Sequence, residues 1–463
     1  MPKGAGNPAR GHTLAVTWNA ANAAHLYRRA GFGATPKQID KALAKGFEPT
    51  LAALLKPDKP QPKAGKPSTN DLWRLQTWWL DRMVKGQHPL SDRMALFWHN
   101  HFATANSKVQ NLKWMHRHVK LLRDNGLGNF RTLVDGVSRD PAMLVWLDNW
   151  QNFADSINEN YARELMELFT TGVLDKTGAP NYTEADIVAV ARAFTGWTLS
   201  DGEFFFAEWG HDHGLKSFKG MTGDLDGTDI LDSLVTDPAT AQRLAMKLWS
   251  HFAFPIALDD PLADELAAVY LATGGEIAAM VEALFRHDAF WSDEAKRALV
   301  KGPVEWFVGS LRLLGAKPRK SHPYELGGAL QSMGQAVYSP PSVFGWNEGL
   351  SWVATSGLLE RADTAEWMAD ARDKWAPVTF KPEKLLGKPK EWAALDVPTL
   401  VALLLETLDL RDASASTVAA LEEYAAADVD GSPTTVVVDT EYVDVKVRGM
   451  LALILSSPEY QMA

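Results

Sequence analysis

Apolar residues recur at three- and four-residue intervals along most of the chain, the period of helices that bury one face. Asn19 to Ala30 and Thr35 to Leu55 predict an opening helical pair joined by the turn Gly31-Phe32-Gly33. Helical patterns follow at about 70–86, 91–106, 109–124, 129–139 and 157–171. The best-marked helix is Thr183 to Trp197. There Thr183 and Asp186 form a capping-box-like pattern, and Ile187, Val190, Ala191 and Phe194 recur at core spacing. Only residues 200–209, SDGEFFFAEW, read as strand, half of a small hairpin. A glycine-punctuated loop runs from Gly210 to Gly227, and helices resume from about 228 to 373.

Two stretches lack periodicity: Lys56 to Asn70, rich in Pro and Lys, and 376–398, with Pro377, Pro382, Pro389 and Pro398. A helical segment from about 397 to 427 and Tyr442 to Pro458 complete the chain, and Thr434 to Val438 is β-prone but short. The expected fold is all-α: one large multi-helix core with a small β-hairpin near 200–209 and long surface loops. Its expected organisation is a main helical domain over 15–375, a Pro-rich linker or surface loop over 376–396, and a C-terminal helical segment over 397–463 packed on the main domain.

Composition narrows the function classes. A net charge of −10 argues against a nucleic-acid footprint, and the one dense basic run, Lys317 to Lys320, is too short to reverse that. The absence of cysteine excludes disulfides, thiolate metal sites and cysteine nucleophiles. No apolar run reaches the roughly 18 residues of a membrane span. The N-terminus MPKGAGNPARGHT lacks a secretory apolar region. The expectation is a soluble protein, cytoplasmic as written, or exported if a leader peptide has been removed.

Three constellations carry chemistry. Wound as a helix, residues 158–170 place Tyr161, Ala162, Leu165, Leu168 and Phe169 on an apolar face. Glu159, Asn160, Arg163, Glu164 and Glu167 share the opposite one. Glu164 and Glu167 are i,i+3 neighbours, close enough to split their pKa values into an acid and a base. Arg163, four residues before Glu167, is expected to hold that carboxylate ionised. The plainer alternative is a solvated face whose charges pair among themselves.

The second constellation is a helix apolar on nearly every side, from Asp92 to Phe102, which carries His99 and His101 about 160° apart, too far to share one ion. His99 is the better functional candidate of the two, against the alternative of a core histidine. His116 and His118 meet the same geometric objection. The third is His211-Asp212-His213-Gly214 with Lys216, in a loop where alternating side chains converge. Two imidazoles and a carboxylate suit zinc or a similar divalent metal, or a base with its orienting acid; a polar turn is the plain alternative. Asp224, Asp226 and Asp229 miss the Ca²⁺-loop pattern and fit a helix N-cap region better.

The signatures of zinc metalloproteases, P-loops, α/β-hydrolases and dinucleotide folds are missing. The eighteen tryptophans are mostly at core spacing. Trp146, Trp150, Trp197, Trp209 and Trp346 lie at loop borders, where an indole can stack on a sugar face, and Trp150 and Trp197 with Asn160 and Lys216 are the candidate substrate contacts.

Several blocks of the chain resemble one bacterial family. They are AAHLYRRAGFGATP at 23–36, ALFWHNHFAT at 95–104, MLVWLDNWQN at 143–152, NENYARELMELFTTGV at 158–173 and YTEADIVAVARAFTGWT at 182–198. HDHGLKSFKG at 211–220, PPSVFGW at 340–346 and RGMLALILSSPEYQ at 448–461 continue the series almost to the end. Together they are similar to the family catalogued as domain of unknown function 1800, whose biochemistry is unassigned. The resemblance implies frequent export and a gene neighbour from a sulfatase-like family, domain of unknown function 1501. The chain departs from it in showing no export signal and in carrying Phe169 where many relatives have histidine, which weakens any metal site that would use that histidine.

Two functions of different class follow. One is an enzyme whose cleft joins Glu164, Glu167, Arg163, His99 and the 211–216 loop, acting on a glycan or other polar substrate by hydrolysis or elimination. The other is a non-catalytic helical partner or scaffold for the sulfatase-like protein, with an apolar surface as its interface.

Overall fold

The computed structural model describes residues 17–56, 67–86, 88–372, 374–387, 389–392, 395–427 and 438–463. The N-terminal stretch before residue 17, residues 57–66 of the Pro/Lys-rich segment and residues 434–437 of the β-prone one lie outside them. The chain is all-α, and its β structure among the described residues is three two-stranded antiparallel sheets.

Local chemistry sets most boundaries. Asn19 caps Ala20–Arg29 by accepting from Asn22 N, and Gly46, at φ 83°, breaks the second expected helix into Pro36–Lys45 and Phe47–Leu55. Asp71, Asn111, Asn129 and Asp140 each cap the helix that follows. Thr183 and Asp186 close a reciprocal capping box on Glu184–Ala193, shorter than expected because the chain turns at Gly196 and Trp197 opens a strand. Trp197–Ser200 pairs with Glu203–Phe206 through Asp201 and Gly202, both at positive φ, as a tight primed turn requires. A second small hairpin, Lys216–Phe218 with Met221–Gly223, lies within the segment expected to be loop.

Buried side chains form two large clusters, and Pro89–His101 belongs to both. Leu90, Met94, Phe97 and Trp98 face one; Ala95 and Leu96 face the other. That double allegiance is why this helix is apolar all round. Leu112–Asn125 is shared in the same way, Leu122 in the first cluster and Met115 and Val119 in the second. Within the Pro-rich stretch, Val378 pairs with Pro318 in the third small sheet, and Val378, Phe380, Leu386 and Trp392 are buried in the second cluster together with Leu451 and Ile454.

Candidate functional site

Asn160–Glu164 is α-helical, but the next turn, Leu165–Phe169, widens to a π-helix. Such turns leave a backbone that α-helix would satisfy differently, and they recur at functional sites. Here Thr170 Oγ1 donates to Leu165 O at 2.6 Å and Thr171 Oγ1 to Met166 O at 3.3 Å. The chain then reverses at Gly172, where φ is +78° and a Cβ would lie 2.8 Å from Arg243 Nη1. Glycine there serves both the turn and the close approach of the guanidinium.

Glu164 precedes this widened turn and Glu167 lies within it, each half-buried and without a hydrogen bond among the described residues. Burial, then the charge of Glu167, pushes the Glu164 carboxyl up to about 6. Arg163 does not hold Glu167: it turns to Glu184 at 3.0 Å and Glu159 at 3.4 Å. Glu167 instead faces Tyr182 and Arg243, whose ionisations it influences.

Arg243 stands on Pro238–Phe252 one turn before Lys247 and two before His251. Its guanidinium makes no hydrogen bond or ion pair among the described residues, and its Nε is buried without a partner. Lys247 Nζ donates to His101 Nδ1 at 3.0 Å, and His101 Nε2–H donates in turn to Phe169 O at 3.1 Å, which fixes the tautomer. Burial, then Arg243, brings the Lys247 ammonium down to about 7, with Glu348 opposing. Burial, then Lys247, keeps His101 neutral. Beyond them Asn100 Nδ2 donates to Glu348 Oε1 at 2.8 Å while Asn100 Oδ1 accepts from Trp346 N at 2.7 Å. Desolvation, with Lys247 opposing, raises the pKa of the Glu348 carboxyl. Glu164, Glu167, Tyr182, Arg243, Lys247, His101, Asn100 and Glu348 therefore form one linked series of charged and polar groups.

His99 lies on the other side of its helix with no exposed surface. Its Nε2 accepts from Tyr338 N at 3.0 Å, and Trp346, Trp79 and Tyr338 surround the ring. Burial, then His118, holds it neutral. Trp197 is buried under the Arg139 guanidinium, 4.1 Å from its ring centroid. Trp150 is 39% exposed, and exposed Asn160 reaches Asp148 Oδ2 at 3.4 Å. None of these four makes a hydrogen bond, ion pair or ring contact with Arg243 or Lys247 among the described residues.

The 211–216 loop forms a separate cluster at the far end of Glu184–Ala193. Asp212 does not join its two histidines: both its oxygens are taken by Arg192, at 2.6 and 3.1 Å, and this pairing brings its carboxyl down to about 2. The carboxylate that does join them is Asp224, and the N-cap role nearby falls to Asp226. One ligand atom each from His211, His213 and Asp224 lie within 4.8 Å of one another. His211 Nδ1 donates to Thr195 O at 2.9 Å, which leaves Nε2 with its lone pair 3.9 Å from Asp224 Oδ1. A histidine whose other nitrogen is fixed by a carbonyl is the usual form of a metal-binding imidazole. Against that, the buried Lys216 ammonium sits 3.0 Å from the same oxygen, and His213 hydrogen-bonds Asp224 at 2.9 Å, which raises its pKa.

The sequence singles out none of Lys247, Arg243 and Glu348, and it assigns Asp224 to a helix N-cap region instead of to the histidines. A signal for two of them was present: basic residue types at every fourth position, Arg243, Lys247 and then His251, along one face of a helix. Neither the curated proteins nor the solved structures contain a match to the chain. Residues 25–462 match the family described as "Protein of unknown function (DUF1800)", and the chain belongs to that family.

Proposed function

We propose that the protein is an enzyme that cleaves an anionic polar substrate, of the polyuronate class of glycans, by β-elimination at the Lys247 cluster. The observation that carries this reading is the pair Arg243 and Lys247: two basic groups on one helix face, neither in a carboxylate salt bridge among the described residues, the amine brought down to about 7 by burial and then by Arg243. A half-buried guanidinium with no bonded carboxylate is a seat for an anionic group, and the amine beside it is free to act as a base. The substrate carboxylate is held by Arg243. Neutral Lys247 Nζ takes the proton on the carbon beside that carboxylate. The freed electron pair closes a C=C bond as the β C–O bond breaks, and protonated Glu164 gives its proton to the departing oxygen, leaving an unsaturated acid and a free hydroxyl. His101 orients the amine throughout.

With Glu164 at about 6 and Lys247 at about 7, the form holding both in working protonation is most populated between those values, so the rate profile is a narrow bell centred there. The test is incubation with a panel of polyuronates, following the ultraviolet absorbance of the conjugated product together with reducing ends. Growth of both, abolished by Lys247→Ala and Glu164→Gln, supports elimination; reducing ends alone mean hydrolysis. Neither signal from folded protein sinks the enzyme reading. The partner reading then takes its place, resting on exposed Trp209 (80%), Leu215 (72%) and Phe205 (46%) around the hairpins.

The cluster of His211, His213 and Asp224 supports a second, separate site, for zinc or a similar divalent ion, in which Asp224 replaces Asp212 as the carboxylate ligand and Lys216 gives up its ion pair. Elemental analysis of chelator-free protein tests it. Stoichiometric metal in the wild type, lost in both His211→Ala and Asp224→Ala, is expected; a metal-free wild type leaves only a charge network.

A further inference from the structure

Lys247 Nζ makes one hydrogen bond among the described residues, to His101 Nδ1 at 3.0 Å. Because His101 Nε2–H is committed to Phe169 O, Nδ1 carries the imidazole lone pair and accepts one amine hydrogen. An amine held in this way keeps its own lone pair for a ligand. Desolvation and a neighbouring cation together make a lysine nucleophilic, and here burial and then Arg243 bring the amine down to about 7. Two other lysines of the interior differ. Lys216 is fully buried against Asp224 at 3.0 Å. Lys301 is bonded to no carboxylate, but it is only 8% exposed and its Nζ packs 3.7 Å from the Tyr460 ring centroid. Lys247 and Arg243 are both half-buried, so a ligand of a few atoms reaches the two together.

We propose that Lys247 forms an imine with 2-oxo carboxylic acids whose carboxylate is held by Arg243. The inference rests on the carboxylate seat and free amine of the elimination reading, and it uses neither Glu164 nor C–O cleavage. A carboxylate on Arg243 brings the carbon next to it to Lys247 Nζ. In a uronate that carbon carries the acidic hydrogen; in a 2-oxo acid it is the carbonyl carbon, an electrophile. The Nζ lone pair forms the C–N bond as the C=O π pair moves onto oxygen. His101 Nδ1 takes one amine hydrogen and passes it to that oxygen, giving a carbinolamine. The second amine hydrogen follows as the C–O bond breaks, so both leave in one molecule of water and a C=N bond remains. No oxidant or reductant enters the step. An amine held as an imine takes no proton from a uronate, so a 2-oxo acid also blocks the elimination.

The probe is pyruvate, added to the full-length protein with sodium cyanoborohydride, which reduces an imine to a stable secondary amine. Intact mass and peptide mapping read the product. Methyl pyruvate, the neutral and more electrophilic ester, is the comparison, so a preference for pyruvate reports the carboxylate and not carbonyl reactivity. One adduct per chain is expected, on the peptide that holds Lys247, forming faster with pyruvate than with the ester and absent from Lys247→Met. Arg243→Met is expected to slow it about ten- to a hundredfold, the worth of a charge-assisted hydrogen bond. That variant also removes a charge beside the amine, so the ester comparison on the wild type is the independent measure of the carboxylate seat. No adduct on the folded wild type, adducts spread over surface lysines, or an adduct on Lys301 instead overturns the proposal. Equal or faster modification by the ester overturns the role of Arg243. An adduct without unsaturated product from any polyuronate leaves this inference standing and the elimination fallen; unsaturated product without an adduct does the reverse.

Discussion

Lys247 carries an amine whose pKa in the fold is about 7, against an ordinary 10.5, with burial the first cause and Arg243 the second. Below pH 7 the folded and unfolded chains both hold the proton, and the full cost of burying the charge is present. Between about 7 and 10.5 the unfolded chain keeps a proton that the folded one has released, so this group makes stability rise with pH across that window. Glu164 has the opposite sign: raised from 4.5 to about 6, it makes stability fall as pH climbs between those values. Lys247→Met removes the first effect. The variant should melt above the wild type at pH 6–7 and converge with it toward pH 10.5. A difference that stays constant with pH would mean the amine titrates normally and would remove the base from the proposed site. At this scale the sequence was half legible. The near-opposite placement of His99 and His101 follows from helix geometry alone. Which of the two meets a charged group depends on Lys247, far along the chain, and no local pattern reveals it.

At the scale of elements, what is local was readable. The capping box at Thr183 and Asp186 lies within one turn, and the Asp201-Gly202 turn needs only its own positive-φ residues. The π-turn at Leu165–Phe169 was not readable, because an ordinary α-period fits the same apolar residues. What maintains the wider turn is the back-bonding of Thr170 and Thr171 and the reversal at Gly172, all beyond its last residue. That turn also alters the site. An unbroken α-helix would place Arg163 beside Glu167, whereas here Arg163 pairs with Glu184 on the next helix and Glu167 is left toward Arg243. The hairpin Lys216–Phe218 with Met221–Gly223 was hidden in the same way. Its strands are three residues each, too short for an alternating pattern, yet they carry Asp224 back to Lys216 and His213.

For the whole molecule, the all-α class was legible from periodicity, but the division into two buried clusters was not. Residues of the second cluster come from as far apart as Phe32 and Tyr460, and only the tertiary fold brings them together. Pro89–His101 is where the two meet, with Met94 in one and Leu96 in the other. A helix packed on both sides by different cores couples them, because neither can loosen without exposing part of it. Truncating either side chain to alanine removes buried methylenes and leaves a cavity, at a cost of about 2–5 kcal/mol. If the shared helix couples the clusters, thermal unfolding of the wild type is one transition, and Met94→Ala and Leu96→Ala each move that whole transition to lower temperature. Calorimetry distinguishes the alternative directly. Two transitions, one shifted only by Met94→Ala and the other only by Leu96→Ala, would mean that the clusters unfold independently and that the helix merely lies between them.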